Sequence, residues 1–182
     1  LTVMVITLVL TMVIPLQYSV LVGVGISVLM FVVGQSSRLV MKQLVAHPDG
    51  AWEQVEPPSS VGVDEVIVLQ PYGSLSFVTA QALAEQLPEP TDDSRGSVVI
   101  LRIRGADDAG STMLDVLHRY AETLSDAECR LAVVTDSDRV ERQLELTGVT
   151  ELIGADGIYR STAFLGQATR RAHDDAVEWI NR

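Results

Sequence analysis

The sequence is poor in cysteine and in positive charge, and each shortage removes a class of protein. A single cysteine, Cys129, excludes an internal disulfide and a thiolate metal site, and it fits a reducing compartment. We interpret Cys129 as a small residue at the start of a strand. The 13 basic residues are outnumbered by 24 acidic ones, giving a net charge of −11, so clustered basic side chains for phosphate contacts are lacking. Nucleic acid is therefore excluded as a partner.

Charge is absent from the first part of the chain, because no Asp, Glu, Lys or Arg precedes Arg38. Residues 1–14 and 16–33 are almost wholly apolar, and we predict that residues 1–35 form a transmembrane helical segment in contact with membrane lipid. Two topologies stay open. A hairpin of helices 1–14 and 16–33 is favoured because Pro15 disrupts a helix; the alternative is one long helix kinked at that proline.

The membrane orientation is predicted by basic residues next to the second apolar run. Arg38 and Lys42 follow that run directly, and such residues mark the cytoplasmic side of a membrane segment. A secretory signal peptide is not favoured, because neither a basic start nor a small-residue cleavage site is present. We expect the chain to be part of a longer protein, since it begins inside an apolar run.

The composition changes again after the apolar part. Residues 36–64 are rich in Pro, Gly, Ser and acidic side chains and are predicted to be a juxtamembrane linker, with Trp52 docked on the domain or at the membrane interface. Residues 65–182 are predicted to form one cytoplasmic domain of ordinary size.

Alternating apolar patterns predict the fold of that domain. Strands are expected at residues 66–70, 98–103, 130–135 and 149–153, with a further short strand at 74–77 that would form a hairpin with the first. Helices are expected at residues 77–87, from Ser111 or Thr112 to 124, at 139–146 and at 162–180. The predicted class is α/β, with a mixed β-sheet packed against helices.

Most polar residues that suggest chemistry have a simpler structural role. His47, His118 and His173 fall in the linker and on two different helices, without the spacing of a metal motif. Asp107 and Asp108 are interpreted as solvated loop carboxylates. We predict no metal, no cofactor and no enzymatic activity; a membrane-anchored enzyme is the weakest hypothesis, since no catalytic constellation is visible.

One candidate ligand-binding edge follows a predicted strand. Asp136 and Ser137 come directly after residues 130–135, at the carboxyl edge of the sheet, where α/β folds often bind a nucleotide or a small anion. Capping of the next helix by Ser137 is the more economical interpretation.

The order of elements, with residues 72–77 (Tyr-Gly-Ser-Leu-Ser-Phe) and 98–103 (Val-Val-Ile-Leu-Arg-Ile), resembles the STAS domain of SulP anion permeases and anti-sigma-factor antagonists. Residues 15–25 look like the entry to the last transmembrane helix of the permeases. The resemblance implies the C-terminal fragment of a secondary transporter for sulfate, bicarbonate or a related anion. It also implies a multi-pass plasma-membrane protein, often a homodimer, whose cytoplasmic STAS domain regulates or assembles the membrane domain. The alternative is a membrane-tethered STAS regulator that binds a cytoplasmic protein partner.

The resemblance also singles out Ser111 and Thr112. In antagonist-type domains a phosphorylated serine lies at a helix start in an Asp-Ser-Ser/Thr-Gly pattern, and Ser111 occupies that position here. The pattern departs on both sides, with Gly110 for the aspartate and Met113 for the glycine. Two roles stay open, a helix cap and a regulatory phosphosite, and the cap is favoured.

Overall fold

The computed structural model divides the chain into two compact units, Leu1–Ser37 and Arg38–Arg182. It describes residues 4, 5, 8, 16–35, 39–48, 50–73, 77–106, 108–162, 164 and 166–182. In chain order the elements are α1 (Leu16–Gln35), β1 (Val40–Ala46), β2 (Trp52–Val55), β3 (Ser60–Val63), β4 (Val66–Tyr72), α2 (Phe77–Ala84), β5 (Glu89–Arg95), β6 (Val98–Ile103), α3 (Ser111–Asp126), β7 (Arg130–Thr135), α4 (Asp138–Leu146), α5 (Val149–Ile153), a 3₁₀ turn (Ala155–Gly157), β8 (Ile158–Arg160) and α6 (Gln167–Ile180).

The first unit contains α1, a helix of 20 residues without a charged side chain. Its large apolar side chains are exposed in this unit, among them Tyr18, Leu21, Val24 and Leu29. Within the described residues, no helix combines the length and the apolarity of a membrane span. The predicted hairpin depends on residues 1–15, which lie mostly outside the described part, so its topology stays a prediction.

The second unit is built on a six-stranded sheet in the order β2-β1-β4-β6-β7-β8. The strands β4, β6, β7 and β8 are parallel, whereas β1 pairs antiparallel with both β2 and β4. In β6 and β7, nearly every side chain is buried, because helices cover both faces of the sheet there. The predicted strands 98–103 and 130–135 are confirmed, and so is a mixed sheet packed against helices.

Helices cover the two faces of the sheet unequally. The helices α2, α3, α4 and α5 bury their apolar sides on one face, where the larger core includes Leu101, Leu117 and Leu144. On the other face α6 contributes Ala168, Ala172 and Ala176 to a smaller core. These small side chains let the helix approach the sheet closely. We call this second surface of the sheet the α6 face.

The predicted linker is largely wrong as a description of residues 40–63, because these residues form β1, β2 and β3. The sheet uses β1 to extend beyond β4, and Trp52 packs against the α6 face as predicted for docking on the domain. The strand β3 instead pairs with β5 in a separate parallel pair. Short, half-exposed strands of mixed polarity satisfy their backbone groups through these partners, which the composition did not indicate.

Two further expectations are wrong. Residues 149–153 form a helix, α5, which packs against α3 and whose N-cap, Gly148, is in the left-handed conformation. The last helix begins at Gln167 instead of residue 162, and Phe164, which precedes it, is 73% exposed. The antiparallel partner of β4 is β1, while the strand expected at 74–77 falls outside the described residues except for Phe77, which starts α2.

Candidate functional site at the carboxyl edge of the sheet

The carboxyl ends of β4, β6, β7 and β8 lie side by side at one edge of the main sheet, because these strands are parallel. The helix α3 follows β6, and α4 follows β7, so Ser111, Thr112, Asp136 and Ser137 all lie at this edge. The fold thus brings the predicted site residues to the place where open α/β sheets bind ligands.

Asp136 connects the ends of two neighbouring strands. The amide of Gly105, in the turn after β6, donates to both carboxylate oxygens of Asp136, at 3.3 and 3.4 Å. Gly105 has φ +67°, in the left-handed region that favours glycine. Asp136 therefore has a structural role in joining the two strand ends. Its carboxylate is also exposed, and binding of a ligand there remains a prediction.

Ser137 caps α4, as predicted. Its hydroxyl oxygen accepts a hydrogen bond from the amide of Val140 at 3.4 Å, and its own amide donates to the hydroxyl of Thr135. Asp138 and Glu141 add negative charge to the first turn of α4, where the helix dipole stabilises it. These contacts explain Ser137 structurally, and its use by a ligand stays a prediction.

Ser111 is not a helix cap, which overturns the favoured interpretation. The N-cap of α3 is Gly110, which has no side chain to accept a hydrogen bond, and Ser111 is the first helical residue. The carbonyl of Gly110 accepts from the amides of Met113 and Leu114, at 2.8 and 3.2 Å. The Ser111 side chain is exposed and Thr112 is half-buried. The physical reason is that Ser111 already belongs to the helix, so the capping position falls one residue earlier, on Gly110.

A residue that the sequence did not single out, Gln143, holds the loop before α3. Its side-chain amide donates to the Asp108 carboxylate at 2.6 Å, and its carbonyl oxygen accepts from the Ala109 amide at 3.1 Å. Gln143 lies on α4, so these bonds fix the entry to α3 from the neighbouring unit of the sheet. No local pattern could have indicated a contact across some 35 residues.

Another missed residue is Arg102, which points from β6 on the α6 face near the carboxyl edge. Its Nη1 donates to the side-chain oxygen of Gln70, a residue only 7% exposed, at 2.5 Å. The buried Nε finds no acceptor among the described residues. Burial, together with the nearby charge of Arg104, lowers the pKa of Arg102, and Tyr72 and Asp136 oppose that shift.

The remaining polar candidates are dispersed. His47 bonds Glu53 at 2.9 Å in the turn after β1, His118 lies beside Glu122 on α3, and the ring of His173 makes an edge contact with Trp52 at 5.8 Å. Among the described residues, no cluster of His, Cys, Asp and Glu could hold a metal ion. Cys129 is buried just before β7, where burial raises the pKa of its thiol.

A groove of about 780 Å³ lies between β8 and α6. Tyr159 and Trp179 line it, and the Arg130 guanidinium lies 4.3 Å from the Trp179 ring centroid. Burial, and secondarily Asp175, raises the pKa of Tyr159 to about 12. None of the four predicted site residues lines this groove. Basic and acidic side chains both line it, so it favours neither an anion nor a cation. The sequence did not indicate it because β8 is only three residues long.

Comparisons with known proteins agree with this architecture. The model of the STAS domain family matches residues 57–165, more than half of the chain. No curated protein matches the sequence. The fold is thus an α/β domain with a mixed sheet, and the family match identifies it as a STAS domain. The chain belongs to the STAS domain family.

Solved structures are similar in fold over nearly the whole chain. Murine Solute Carrier 26 family member A9, an anion transporter in the inward-facing state, superposes with a TM-score of 0.60 at 16% identity, covering 99% of this chain and 28% of the transporter. A second structure, of SLC26A9, gives a TM-score of 0.57 at 15% identity, covering 100% and 32%. A sulfate transporter family protein from Wolinella succinogenes gives 0.49 at 18% identity, covering 67% and 92%. The chain thus spans about a third or less of the two transporters.

Proposed function

We propose that this chain is the C-terminal part of a SulP-type secondary anion transporter. In this proposal residues 1–35 belong to the membrane domain, and residues 38–182 form a cytoplasmic STAS domain that regulates or assembles the carrier. The observation that carries the proposal is the extent of the structural similarity. The alignment with an anion transporter covers 99% of the chain and so includes the apolar N-terminal unit as well as the STAS fold.

The surface of α1 supports an apolar environment for the first unit. Leu21 is 72% exposed and Leu29 is 66% exposed, and large apolar side chains are exposed along much of the described helix. Contiguous apolar surface of this kind is unfavourable in water and is expected to be covered by lipid or by further helices. The missing part of the carrier would supply those helices, and membrane lipid would supply the rest.

The cytoplasmic location of the STAS domain is supported by charge. Arg38 and Lys42 are the first charged residues of the chain and follow the apolar segment directly, in agreement with the positive-inside rule. The buried single cysteine suits a reducing compartment. A homodimer, in which STAS domains contribute to assembly, and a transported anion such as sulfate or bicarbonate are part of the same proposal.

Anion uptake by the complete protein tests this function. The full-length protein, reconstituted in liposomes, is expected to take up radiolabelled sulfate or bicarbonate down an imposed gradient, above the level of protein-free liposomes. A matched variant lacking residues 38–182 should retain the substrate site but show altered rate or assembly. If the complete protein takes up no anion under any gradient, the carrier proposal is wrong.

The exposed Ser111 favours a second candidate, a membrane-tethered STAS regulator controlled by phosphorylation. A phosphate at the first residue of α3 would lie near free amides and the positive end of the helix dipole. We expect phosphate on Ser111, with Thr112 a less accessible site, and altered binding of a protein partner by Ser111→Glu but not Ser111→Ala. Phosphopeptide mass spectrometry of protein from its native cell checks this; an unmodified Ser111 together with anion uptake would favour the carrier.

A further inference from the structure

Three basic side chains lie near one end of the α6 face, although the protein as a whole is acidic. Lys42 lies on β1 and Arg102 on β6, and alternation along these strands places both on the α6 face. Arg104 follows β6 directly, and its charge is close enough to Arg102 to lower the pKa of that residue. The chain as a whole carries a charge of −11. A basic surface on an acidic protein indicates a negatively charged partner. We call Lys42, Arg102 and Arg104 the basic patch.

The basic patch is accessible, because α6 leaves this end of the face partly uncovered. Lys42 and Arg102 are half-buried, and Arg104 is exposed. Around them Val40 and Tyr72, which are register partners on β1 and β4, are 43% and 37% exposed. The patch therefore lies on an open sheet surface with an aromatic and an aliphatic side chain beside it, a composition that suits a membrane interface.

The electrostatic environment of the patch leaves room for an anionic partner. Two carboxylates are close: Glu56 pairs with Lys42, and Asp136 is bound by the Gly105 amide. No carboxylate among the described residues forms an ion pair with Arg102, and its buried Nε–H lacks an acceptor there. Burial that disfavours the charged guanidinium would be offset by an external anion.

The position of the patch along the chain points to the partner. The apolar unit ends at Ser37, and β1 begins at Val40, whose register partner Tyr72 ends β4. Arg38, which lies outside the described residues, adds a further positive charge to the sequence directly after Ser37. Basic clusters directly on the cytoplasmic side of a membrane segment bind anionic lipid headgroups, each residue contributing about 1 kcal/mol.

We propose that the basic patch of Lys42, Arg102 and Arg104 binds anionic lipid headgroups and holds this face of the STAS domain against the membrane surface. The proposal rests on the membrane placement in the proposed function, although not on anion transport. In this proposal the lipid composition controls the position of the STAS domain, because loss of anionic lipid would release the domain from the membrane surface.

The test uses the 182-residue chain in lipid nanodiscs, with Cys129→Ala and an environment-sensitive fluorophore on Val40→Cys. Replacing neutral phosphatidylcholine by a mixture with phosphatidylglycerol should shift the emission to the blue, and ~1 M salt should reverse the shift because the Debye length falls to ~3 Å. The same fluorophore on Leu146→Cys, 79% exposed on α4, should not respond to the lipid.

Charge variants decide whether the patch is responsible. The double variant Arg102→Gln/Arg104→Gln should lower the ratio of bound to released domain roughly 30-fold, since two basic residues contribute about 2 kcal/mol. The matched variant Arg171→Gln/Arg182→Gln removes the same charge from α6 and the chain end that follows it, and should respond as the parent does. Because Arg102 is partly buried, Arg104→Gln alone is measured as well and should lower the ratio about fivefold.

Contrary outcomes are distinct. An unchanged emission in anionic nanodiscs, or an equal loss in both double variants, overturns the lipid proposal. Reversal by inorganic sulfate at constant ionic strength would show a free-anion site instead and would also overturn it. A chain that elutes without lipid would contradict the membrane placement itself, which is the failure of the proposed function.

Discussion

At the scale of single residues, burial shifts the pKa values of two tyrosines and one arginine. Tyr120 is buried in the larger core and donates its hydroxyl to the Pro88 carbonyl at 2.8 Å, and burial raises its pKa. Tyr159 is less buried but lies near Asp175, with a pKa raised to about 12. Arg102 shows the opposite direction, since burial lowers the pKa of a cation. In all three cases the protein disfavours the charged form.

Tyr159 provides a prediction for alkaline pH. Ionisation of tyrosine raises the absorbance at ~295 nm, and the contribution of Tyr159 is the difference between the parent protein and Tyr159→Phe. This difference should titrate with a midpoint near 12 instead of the ordinary value of 10.0. Because the folded pKa is the higher one, the unfolded chain loses this proton first. The stability contributed by Tyr159 is therefore complete below pH 10 and is lost as the pH rises towards 12.

The variant Asp175→Asn separates the two causes of that shift. Burial is the larger cause, so the midpoint should move down but stay above 10.0. A difference titration with a midpoint at the ordinary value in the parent protein would contradict the burial of Tyr159 between β8 and α6.

At the scale of elements, the two serines near the starts of α3 and α4 have different roles. Ser137 accepts a hydrogen bond from Val140 as the N-cap of α4, whereas Ser111 follows the N-cap of α3 and forms no cap bond. Ser137→Ala should destabilise the protein by about 0.5–2 kcal/mol, at the lower end because the bond is long. Ser111→Ala, the matched control, should change the free energy of unfolding by less than ~0.5 kcal/mol.

Urea unfolding followed by circular dichroism measures both variants under the same conditions. Equal destabilisation by the two substitutions would show that Ser111 does cap its helix in solution. A small effect of Ser111→Ala would show that the fold does not depend on the Ser111 hydroxyl. The hydroxyl could then be modified without loss of stability.

The strands that sequence patterns predicted best are those buried on both sides, and α3 and α4 were also predicted close to their observed bounds. Residues 98–103 and 130–135 are continuous apolar runs, because each strand lies between neighbours and between layers of helices. The strand β5 could not be predicted: its sequence, Glu-Pro-Thr-Asp-Asp-Ser-Arg, is polar, and only pairing with β3 makes it a strand. The short apolar sequence of residues 149–153 is compatible with a strand or a helix, and packing against α3 stabilises the helix.

The candidate site was predictable in place but not in detail. Strand order alone brings Ser111, Asp136 and Ser137 to one edge, since parallel strands end together. The roles of Gln143 and Arg102 depend on side chains that meet across some 32 to 35 residues, and no local spacing encodes such contacts. The cap at Gly110 was missed because a glycine offers no side-chain pattern to recognise.

At the scale of the whole molecule, the two units differ in the solvent they suit. The first 37 residues carry no charge, and the remainder carries all of the net charge of −11. An acidic surface repels other acidic surfaces, so under the lipid proposal the basic patch is the side that approaches a negatively charged membrane. The same distribution predicts that Arg38–Arg182 faces the cytoplasm.

Cysteine labelling of the complete protein in cells tests that orientation. Leu146 is 79% exposed on α4, so Leu146→Cys in a Cys129→Ala background presents one accessible thiol on the STAS domain. A membrane-impermeant maleimide should label it in inside-out vesicles but not in intact spheroplasts. The natural Cys129 is the matched control: it is 4% exposed and its pKa is raised by burial, so it should stay unlabelled on either side until the protein is denatured. Labelling of Leu146→Cys in intact spheroplasts would place the domain outside the cell, and both the cytoplasmic assignment and the binding of the basic patch to the inner leaflet would then be wrong.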